Sequence, residues 1–208
     1  MISLILSAVS NFVLFVIAKA GYGGIFLLMF LQSFNIPAPS EITMSFSGFL
    51  ASQGVFNFWI VVFTGTFGNL AGAFFSYMLA ETLIRNGLRE KFRLLKILIS
   101  DGNLNRAQRW FEKYGSVSVF FGRLLPVVST FISFPAGLAK MKISRFLLLT
   151  FFGSLLWTFI LTKLGFILGQ NWTMAQAYFR KFDYLILILI LMLLIFWIYR
   201  HIADKSNK

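Results

Sequence analysis

The chain is short of several residue types on which catalytic and metal sites depend. Its 208 residues include no cysteine, a single histidine (His201) and only 12% charged side chains. Without cysteine there is no disulfide, no thiolate nucleophile and no thiolate metal ligand. One histidine, in the polar tail of the sequence, excludes a Ser-His-Asp triad and a multi-histidine metal site within one chain. We therefore expect no enzymatic activity, no bound metal and no cofactor.

Charge is scarce along most of the chain, whereas apolar residues make up 58% of it and the mean hydropathy is +0.80. A soluble domain has about 45–50% apolar and about 25% charged residues, and a membrane-spanning helix needs about 20 mostly apolar residues. A soluble enzyme, a disordered chain and a coiled coil are excluded. The composition predicts an all-α integral membrane protein, with residues 1–208 forming one membrane domain. The runs without charge include 2–18, 20–40, 42–80, 124–139 and 164–179.

The net charge of +12 comes from clusters of lysine and arginine that separate the hydrophobic segments. Eight of these residues lie within 85–113, three lie within 140–145, and others close the chain. A nucleic-acid-binding protein would carry such clusters on a soluble domain with interleaved aromatic residues. Here the positive-inside rule explains them better. We expect a basic, amphipathic cytoplasmic linker at 81–115, a cytoplasmic C-terminus and no nucleic-acid partner.

Two prolines, Pro37 and Pro39, interrupt the hydrophobic stretch 25–50. Proline breaks a helix when it lies in the helix interior, and the arms on either side, 25–36 and 42–51, are each too short to cross a membrane. The pattern predicts a re-entrant helical hairpin, which is allowed only where protein or water satisfies the freed backbone. A glycine cluster separates this hairpin from a first helix at 2–18: Gly21, Gly23 and Gly24.

The second half of the chain repeats the first after a shift of 89 residues. Both halves contain Pro-x-x-Ser-x7-Gly followed by an apolar span rich in small residues, at 55–80 and at 146–168. The second hairpin is predicted at 117–139, with breaks at Pro126 and Pro135. Repeat one covers about 22–80, repeat two about 116–169, and a last transmembrane helix is predicted at 184–199. The matched residues are Pro37 with Pro126, Ser40 with Ser129, and Gly48 with Gly137.

Charge indicates how the two repeats are oriented. The loop after the first hairpin, 52–57, has no charge, whereas its counterpart at 140–145 has three positive residues. The first loop is therefore expected outside and the second inside. The predicted fold is an inverted repeat of two re-entrant hairpins, each followed by a transmembrane helix, with flanking helices. Many secondary transporters have this architecture.

Ionisable residues are rare inside the apolar segments, where each charge costs about 2.5–3.5 kcal/mol on insertion scales. Arg123 lies three residues before Pro126, and its planar guanidinium is suited to binding a phosphate or carboxylate, with hydroxyls added by Ser129 and Thr130. Glu41 lies at the first break and is a candidate proton site. The alternative is a structural ion pair between Glu41 and Arg123. Lys163 is expected to extend to the outer headgroups.

These segments resemble the DedA family of bacterial inner-membrane proteins, the SNARE-associated or VTT domain superfamily. The resemblance implies paired re-entrant hairpins and carriage of undecaprenyl phosphate across the membrane. It also implies proton-motive-force-dependent physiology and, in eukaryotic relatives, lipid scrambling. It further implies that Glu41 is the acid of the hairpin and Arg123 the first essential arginine. The family pattern Arg-x-x-Pro-x-x-Arg-Thr has Ser129 here in place of the second arginine, so a two-arginine phosphate clamp is unavailable. The matching segments are Pro-x-Pro-Ser-Glu (37–41), Gly-Phe-Leu-Ala (48–51), Phe-Gly-Arg-Leu-Leu-Pro-Val-Val-Ser-Thr (121–130) and Pro-Ala-Gly-Leu-Ala-Lys-Met (135–141).

The expected function is a lipid-phosphate transporter, or flippase, that returns undecaprenyl phosphate across the bacterial inner membrane with proton coupling through Glu41. Its partners would be the lipid phosphate and the surrounding membrane lipids, and homo-oligomerisation stays open. The main alternative is an energy-independent phospholipid scramblase. A membrane enzyme acting on lipid phosphates is disfavoured by the missing histidine, cysteine and carboxylate clusters. A structural assembly factor is the remaining alternative.

Overall fold

A computed structural model of the chain describes residues 2–36, 38–85, 109–111 and 114–169. Residues 1–169 form one compact unit, and residues 170–208 form a second unit. The predicted last helix at 184–199, Pro37 and most of the predicted linker at 81–115 lie outside the described residues. Within the described part every regular element is helical: α1 (Ile2–Ser33), α2 (Ser40–Ser52), α3 (Phe58–Arg85), α4 (Val117–Arg123), α5 (Val128–Phe131), α6 (Ser133–Leu138) and α7 (Ile143–Ile167).

By length and composition alone, three of the described helices could cross a membrane: Ser10–Ser33, which contains a bend at Gly21, Phe58–Leu83 and Ile143–Ile167. The long helices predicted at 55–80 and 146–168 are confirmed as α3 and α7. Helix α3 begins at Phe58 because Asn57 caps it. The Asn57 side-chain oxygen accepts hydrogen bonds from the backbone N–H groups of Trp59 (3.0 Å) and Ile60 (3.2 Å), which no intrahelical carbonyl can satisfy.

Helix α1 is bent sharply at Gly21, as the glycine cluster predicts. Gly21 has φ 55° and ψ −130°, a conformation that only glycine adopts without strain. A Cβ on Gly24 would lie 2.6 Å from the Val16 carbonyl oxygen, whereas residues eight apart in a straight helix are about 12 Å apart. The arms 2–20 and 22–33 therefore fold back on each other, and their buried side chains share one core cluster: Val13, Ile17, Ile25, Leu28 and Met29.

The prolines that the structure describes have different positions. Pro39 directly precedes α2, and Pro126 lies in the turn between α4 and α5. The predicted break at Pro135 is wrong, because Pro135 is the third residue of α6. Proline is tolerated in the first turn of a helix, where its missing N–H would have had no intrahelical acceptor. Ile132, which joins α5 to α6, has helical dihedral angles (φ −61°, ψ −25°), so the chain continues helically from Val128 to Leu138.

Gly48 and Gly137, predicted as part of the hairpin breaks, lie instead inside helices α2 and α6. Each allows a close contact between backbones, because a Cβ on Gly48 would overlap the Thr162 carbonyl of α7 and one on Gly137 would lie 2.5 Å from the Tyr77 carbonyl oxygen of α3. Helix α2 thus packs on α7, and α6 packs on α3. The long helices α3 and α7 also pack on each other. In addition, α3 packs on α1, and α7 packs on α4.

Alanine at Gly48 or at Gly137 is expected to destabilise the fold, because the new methyl group meets backbone atoms that cannot move aside. Overpacking of this kind costs about 1–3 kcal/mol. Thermal unfolding of the detergent-purified variants would measure the loss. The matched control is Gly23→Ala, since a Cβ at this helical position meets nothing within 4 Å. Equal melting temperatures for all three variants would contradict the proposed close packing.

Candidate functional site

Arg123 is the last residue of α4, and its side chain is only 2% exposed. One terminal nitrogen, Nη1, donates to the Ser33 hydroxyl at 3.0 Å and to the Ser129 carbonyl at 3.0 Å. The other, Nη2, donates to the Ser133 hydroxyl at 2.6 Å. These acceptors belong to α1, α5 and α6. The guanidinium therefore connects both sides of the turn at Pro126 to the end of α1.

All of these acceptors are neutral oxygens. Among the described residues, no carboxylate hydrogen-bonds to Arg123, and its buried Nε atom has no hydrogen-bond partner. A buried charge is stable only when it is paired or fully hydrogen-bonded. The arrangement leaves a guanidinium with an unused donor, which an anion can satisfy through a charge-assisted hydrogen bond.

Gln32 connects the two serines of the repeated Pro-x-x-Ser motif. Its side-chain nitrogen donates to the Ser129 hydroxyl at 3.2 Å and to the Ser40 hydroxyl at 3.5 Å. The Trp157 indole N–H of α7 also donates to the Ser40 hydroxyl, at 3.3 Å. The two proline-containing turns, 89 residues apart in sequence, are therefore joined at one buried polar cluster. Asn69 of α3 extends it by accepting a hydrogen bond from Ser33 at 2.7 Å.

Glu41 lies in the first turn of α2 and is partly exposed. A carboxylate is favourable there, because the N-terminal end of a helix carries a partial positive charge. None of the three hydrogen-bond acceptors of Arg123 is Glu41. The neighbouring Ser40 accepts a hydrogen bond from Gln32, which also donates to the Ser129 hydroxyl, whereas Arg123 donates to the Ser129 carbonyl. Thr130 is buried beside Ser129.

The turn after Arg123 has an unusual backbone. Val127 has φ 65° and ψ −53°, and the Val128 N–H donates to the Pro126 carbonyl at 2.6 Å. This is a γ-turn, which is rare and strained for a β-branched residue. The turn ends α4 and starts α5 within a few residues. It thereby allows the Arg123 side chain to reach the carbonyl of Ser129, only six residues further on.

An apolar groove of about 380 Å³ lies close to the arginine. Phe120, one helical turn before Arg123 on α4, is part of its lining. Gly153 of α7 holds α4 close, since a Cβ on Gly153 would lie 2.8 Å from the Arg123 Cβ. The groove is lined by side chains of α3, α4 and α7: Trp59, Phe63, Phe120, Phe152, Leu155, Leu156 and Phe159.

The sequence does not single out most of the residues that hold Arg123. Ser33 and Gln32 end the arm before the first break, and Ser133 follows Ser129 by one helical turn, so a search for polar residues near the breaks would have found them.

Lys163 is exposed, and its ammonium group lies 6.0 Å from the Phe58 ring centroid and 5.7 Å from the Phe166 ring centroid. Asn69 and Trp157 read as ordinary packing residues within the long helices.

The helices and the buried polar cluster define a multi-pass α-helical membrane protein. The VTT domain matches residues 36–167, more than half of the chain, and the chain therefore belongs to the VTT domain family, the DedA family, as the sequence motifs predict.

The chain is similar to several curated proteins of bacteria. An "Alkaline phosphatase-like protein" of Lactococcus lactis subsp. lactis is 32% identical over 200 residues, covering 92% of this chain and 94% of that protein. "Undecaprenyl phosphate transporter A" of Bacillus subtilis is 31% identical over 75% of this chain and 76% of that protein. The protein of the same name in Staphylococcus aureus is 26% identical over 92% of this chain and 95% of that protein. No solved structure matches the chain.

Removing the Ser133 hydroxyl is expected to destabilise the protein by about 1.5–3 kcal/mol, because a buried charged donor then loses its acceptor. The measurement is thermal unfolding of Ser133→Ala in detergent. The control is Ser47→Ala, the same change at an equally buried site whose hydroxyl donates only to a carbonyl of its own helix, that of Thr43, at 2.7 Å. A shift no larger than that of the control would show that Arg123 does not depend on Ser133.

Proposed function

We propose that this protein carries a lipid-linked phosphate, with undecaprenyl phosphate as the expected substrate, between the leaflets of the bacterial inner membrane. The observation that carries the proposal is the buried Arg123, whose described partners are neutral and whose Nε has no partner. A phosphate oxygen is a strong acceptor for such a donor. The names of the Bacillus and Staphylococcus relatives indicate the same substrate class.

The headgroup would bind at Arg123, with Ser129, Thr130 and Ser133 as hydroxyl donors. Because Ser129 stands where the family pattern has a second arginine, one guanidinium carries the whole positive charge of this site. The hydrocarbon tail would follow the apolar groove beside α4 and α7, which begins one helical turn from Arg123. A charged headgroup and an apolar tail then have adjacent places in the protein.

The proposal includes an inverted repeat of two re-entrant hairpins, one formed by the second arm of α1 with α2 and the other by α4 with α5 and α6. Reciprocal packing supports it, since α2 lies on the long helix of the second half and α6 on that of the first. The bridge that Gln32 makes between Ser40 and Ser129 supports a meeting of the two breaks. The basic loop at 140–145 would face the cytoplasm and the uncharged loop at 52–57 the outside.

Proton coupling would use Glu41. Glu41 follows Ser40 in the first turn of α2, and the Ser40 hydroxyl accepts a hydrogen bond from Gln32, which also donates to the Ser129 hydroxyl. Protonation of Glu41 would remove a negative charge from the first turn of α2, next to Ser40. The second candidate function, an energy-independent scramblase, needs no such group.

Replacement of Arg123 by alanine is expected to lower transport of undecaprenyl phosphate in reconstituted vesicles at least tenfold, since hydrogen bonds to charged groups contribute about 1.5–3 kcal/mol. Arg123→Lys should also transport poorly, because lysine keeps the charge without the planar fork. Leaflet-resolved transport is the measurement, and Arg145→Ala, at an exposed basic position of α7, is the control.

Wild-type transport by folded Arg123→Ala would contradict the proposal. Inorganic phosphate should be measured in the same vesicles. Its release by the wild-type protein would favour an enzyme of lipid phosphates, in keeping with the name of the Lactococcus relative.

Glu41→Gln is expected to abolish the acceleration of transport by a pH gradient while leaving the rate without a gradient within about twofold, because glutamine keeps the shape of the side chain and cannot exchange a proton. The measurement compares vesicles with and without an imposed gradient, and Gln53→Glu at the exposed end of α2 is the control. A wild-type rate that does not respond to the gradient would favour the scramblase.

A further inference from the structure

Helix α7 carries a row of buried hydroxyl groups at every fourth position: Thr150, Ser154, Thr158 and Thr162. All four residues are at most 1% exposed. Residues four apart lie along one ridge of a helix, and the row rises about 18 Å at 1.5 Å per residue. That is more than half of the roughly 30 Å hydrocarbon core of a bilayer.

Most of these hydroxyls lack the hydrogen bond to a carbonyl one turn earlier that serine and threonine usually make within a helix. Thr158 donates to the Ser154 carbonyl at 2.9 Å and shares a 2.9 Å hydrogen bond with Thr66 of α3. In contrast, the hydroxyls of Thr150, Ser154 and Thr162 have no partner among the described residues. Buried polar groups are nearly always hydrogen-bonded in native proteins, so each exception requires an explanation.

Two observations outside the row point to a polar ligand. Ser45 of α2 is fully buried against Gly165 of α7, and its hydroxyl also has no partner among the described residues. At the other end, Gly153, which adjoins Ser154, contacts the side chain of Arg123, whose buried Nε has no partner. The unsatisfied groups thus extend from the arginine to the interface between α2 and α7.

We propose that this hydroxyl row is the track along which a hydrated phosphate headgroup crosses the membrane after leaving Arg123. The inference rests on the proposed function and adds the route to it. Hydroxyls of serine and threonine can donate to phosphate oxygens or to accompanying water. A neighbouring side of the same helix lines the apolar groove through Phe152, Leu155 and Phe159, so headgroup and tail can move along α7 together.

The track is closed in this structure. Gly48 of α2 lies against the Thr162 carbonyl, and Gly165 of α7 lies against the Ser45 carbonyl. These contacts between backbones leave no space for a phosphate group between the two helices. Passage of the headgroup therefore requires α2 to move away from α7.

The first test removes the unsatisfied hydroxyls with little change in shape, in a variant carrying Thr150→Val, Ser154→Ala and Thr162→Val. We expect transport of undecaprenyl phosphate in vesicles to fall at least tenfold, while its binding to purified protein and the melting temperature stay at or above wild type. The control changes hydroxyls that donate to carbonyls of their own segment, Thr43→Val with Ser47→Ala, and should keep wild-type transport.

Wild-type transport by the triple variant would overturn the track while leaving the transport function intact. If the wild-type protein moves no lipid phosphate, the proposed function itself is wrong. A row that serves only packing predicts unchanged transport with equal or higher stability, because apolar groups of the same shape then replace unsatisfied polar groups.

A second test locks α2 to α7 and does not depend on how the triple variant folds. The chain has no cysteine, so a pair introduced by Ser52→Cys and Gly169→Cys would be the only one. A Cβ on Gly169 would lie 2.9 Å from the Ser52 Cβ, shorter than the roughly 3.5–4.5 Å of disulfides, so the two positions must separate by about 1 Å for the bond to form. We expect oxidation to stop transport and reduction to restore it, and either single-cysteine variant serves as control. Undiminished transport by the oxidised pair would overturn the required separation.

Discussion

The structure depends on one buried guanidinium held by neutral oxygens. Arg123 connects α4 to Ser33 of α1, to the Ser129 carbonyl and to the Ser133 hydroxyl. A single side chain therefore joins the end of α1 to the helices on both sides of the turn at Pro126. Burial of a charge costs several kcal/mol unless its hydrogen bonds compensate. Three neutral acceptors offset part of this cost and leave Nε without a partner among the described residues. Under the proposed function, the same incompleteness that limits stability makes the site receptive to an anion.

Much of the fold could be predicted because hydropathy and glycine act locally. The long helices α3 and α7 follow from the length of the apolar runs, and the bend at Gly21 follows from a glycine cluster that weakens a helix and permits its positive φ. The predictions of a break at Pro135 and at Gly48 are wrong for a reason that lies in the tertiary structure. The sequence does not distinguish a proline in the first turn of a helix from a proline that breaks a helix. In the same way, it does not distinguish a glycine needed for a close contact from a glycine needed for a turn. Only the neighbouring backbone distinguishes them, at Thr162 in the case of Gly48.

The candidate site could be predicted only in part. Arg123 is conspicuous in sequence because a charge within an apolar segment needs a reason. Its partners are serines and a glutamine, which occur throughout membrane helices and carry no such signal. Gln32 is the clearest case, since nothing in the residues around it indicates that its amide bridges two serines lying 89 residues apart. The contacts come from the packing of α1 against α5, a segment far away in sequence, which no local pattern records.

The serine at position 129 changes the electrostatics that a phosphate would meet. A phosphate monoester carries about −1.5 to −2 charges near neutral pH, with a second pKa near 6. One guanidinium balances about one of these charges, whereas a pair would balance both. A site with Arg123 alone is therefore better matched to the singly charged, protonated phosphate. The hydroxyl of Ser129, engaged by Gln32, connects the two breaks instead of adding charge.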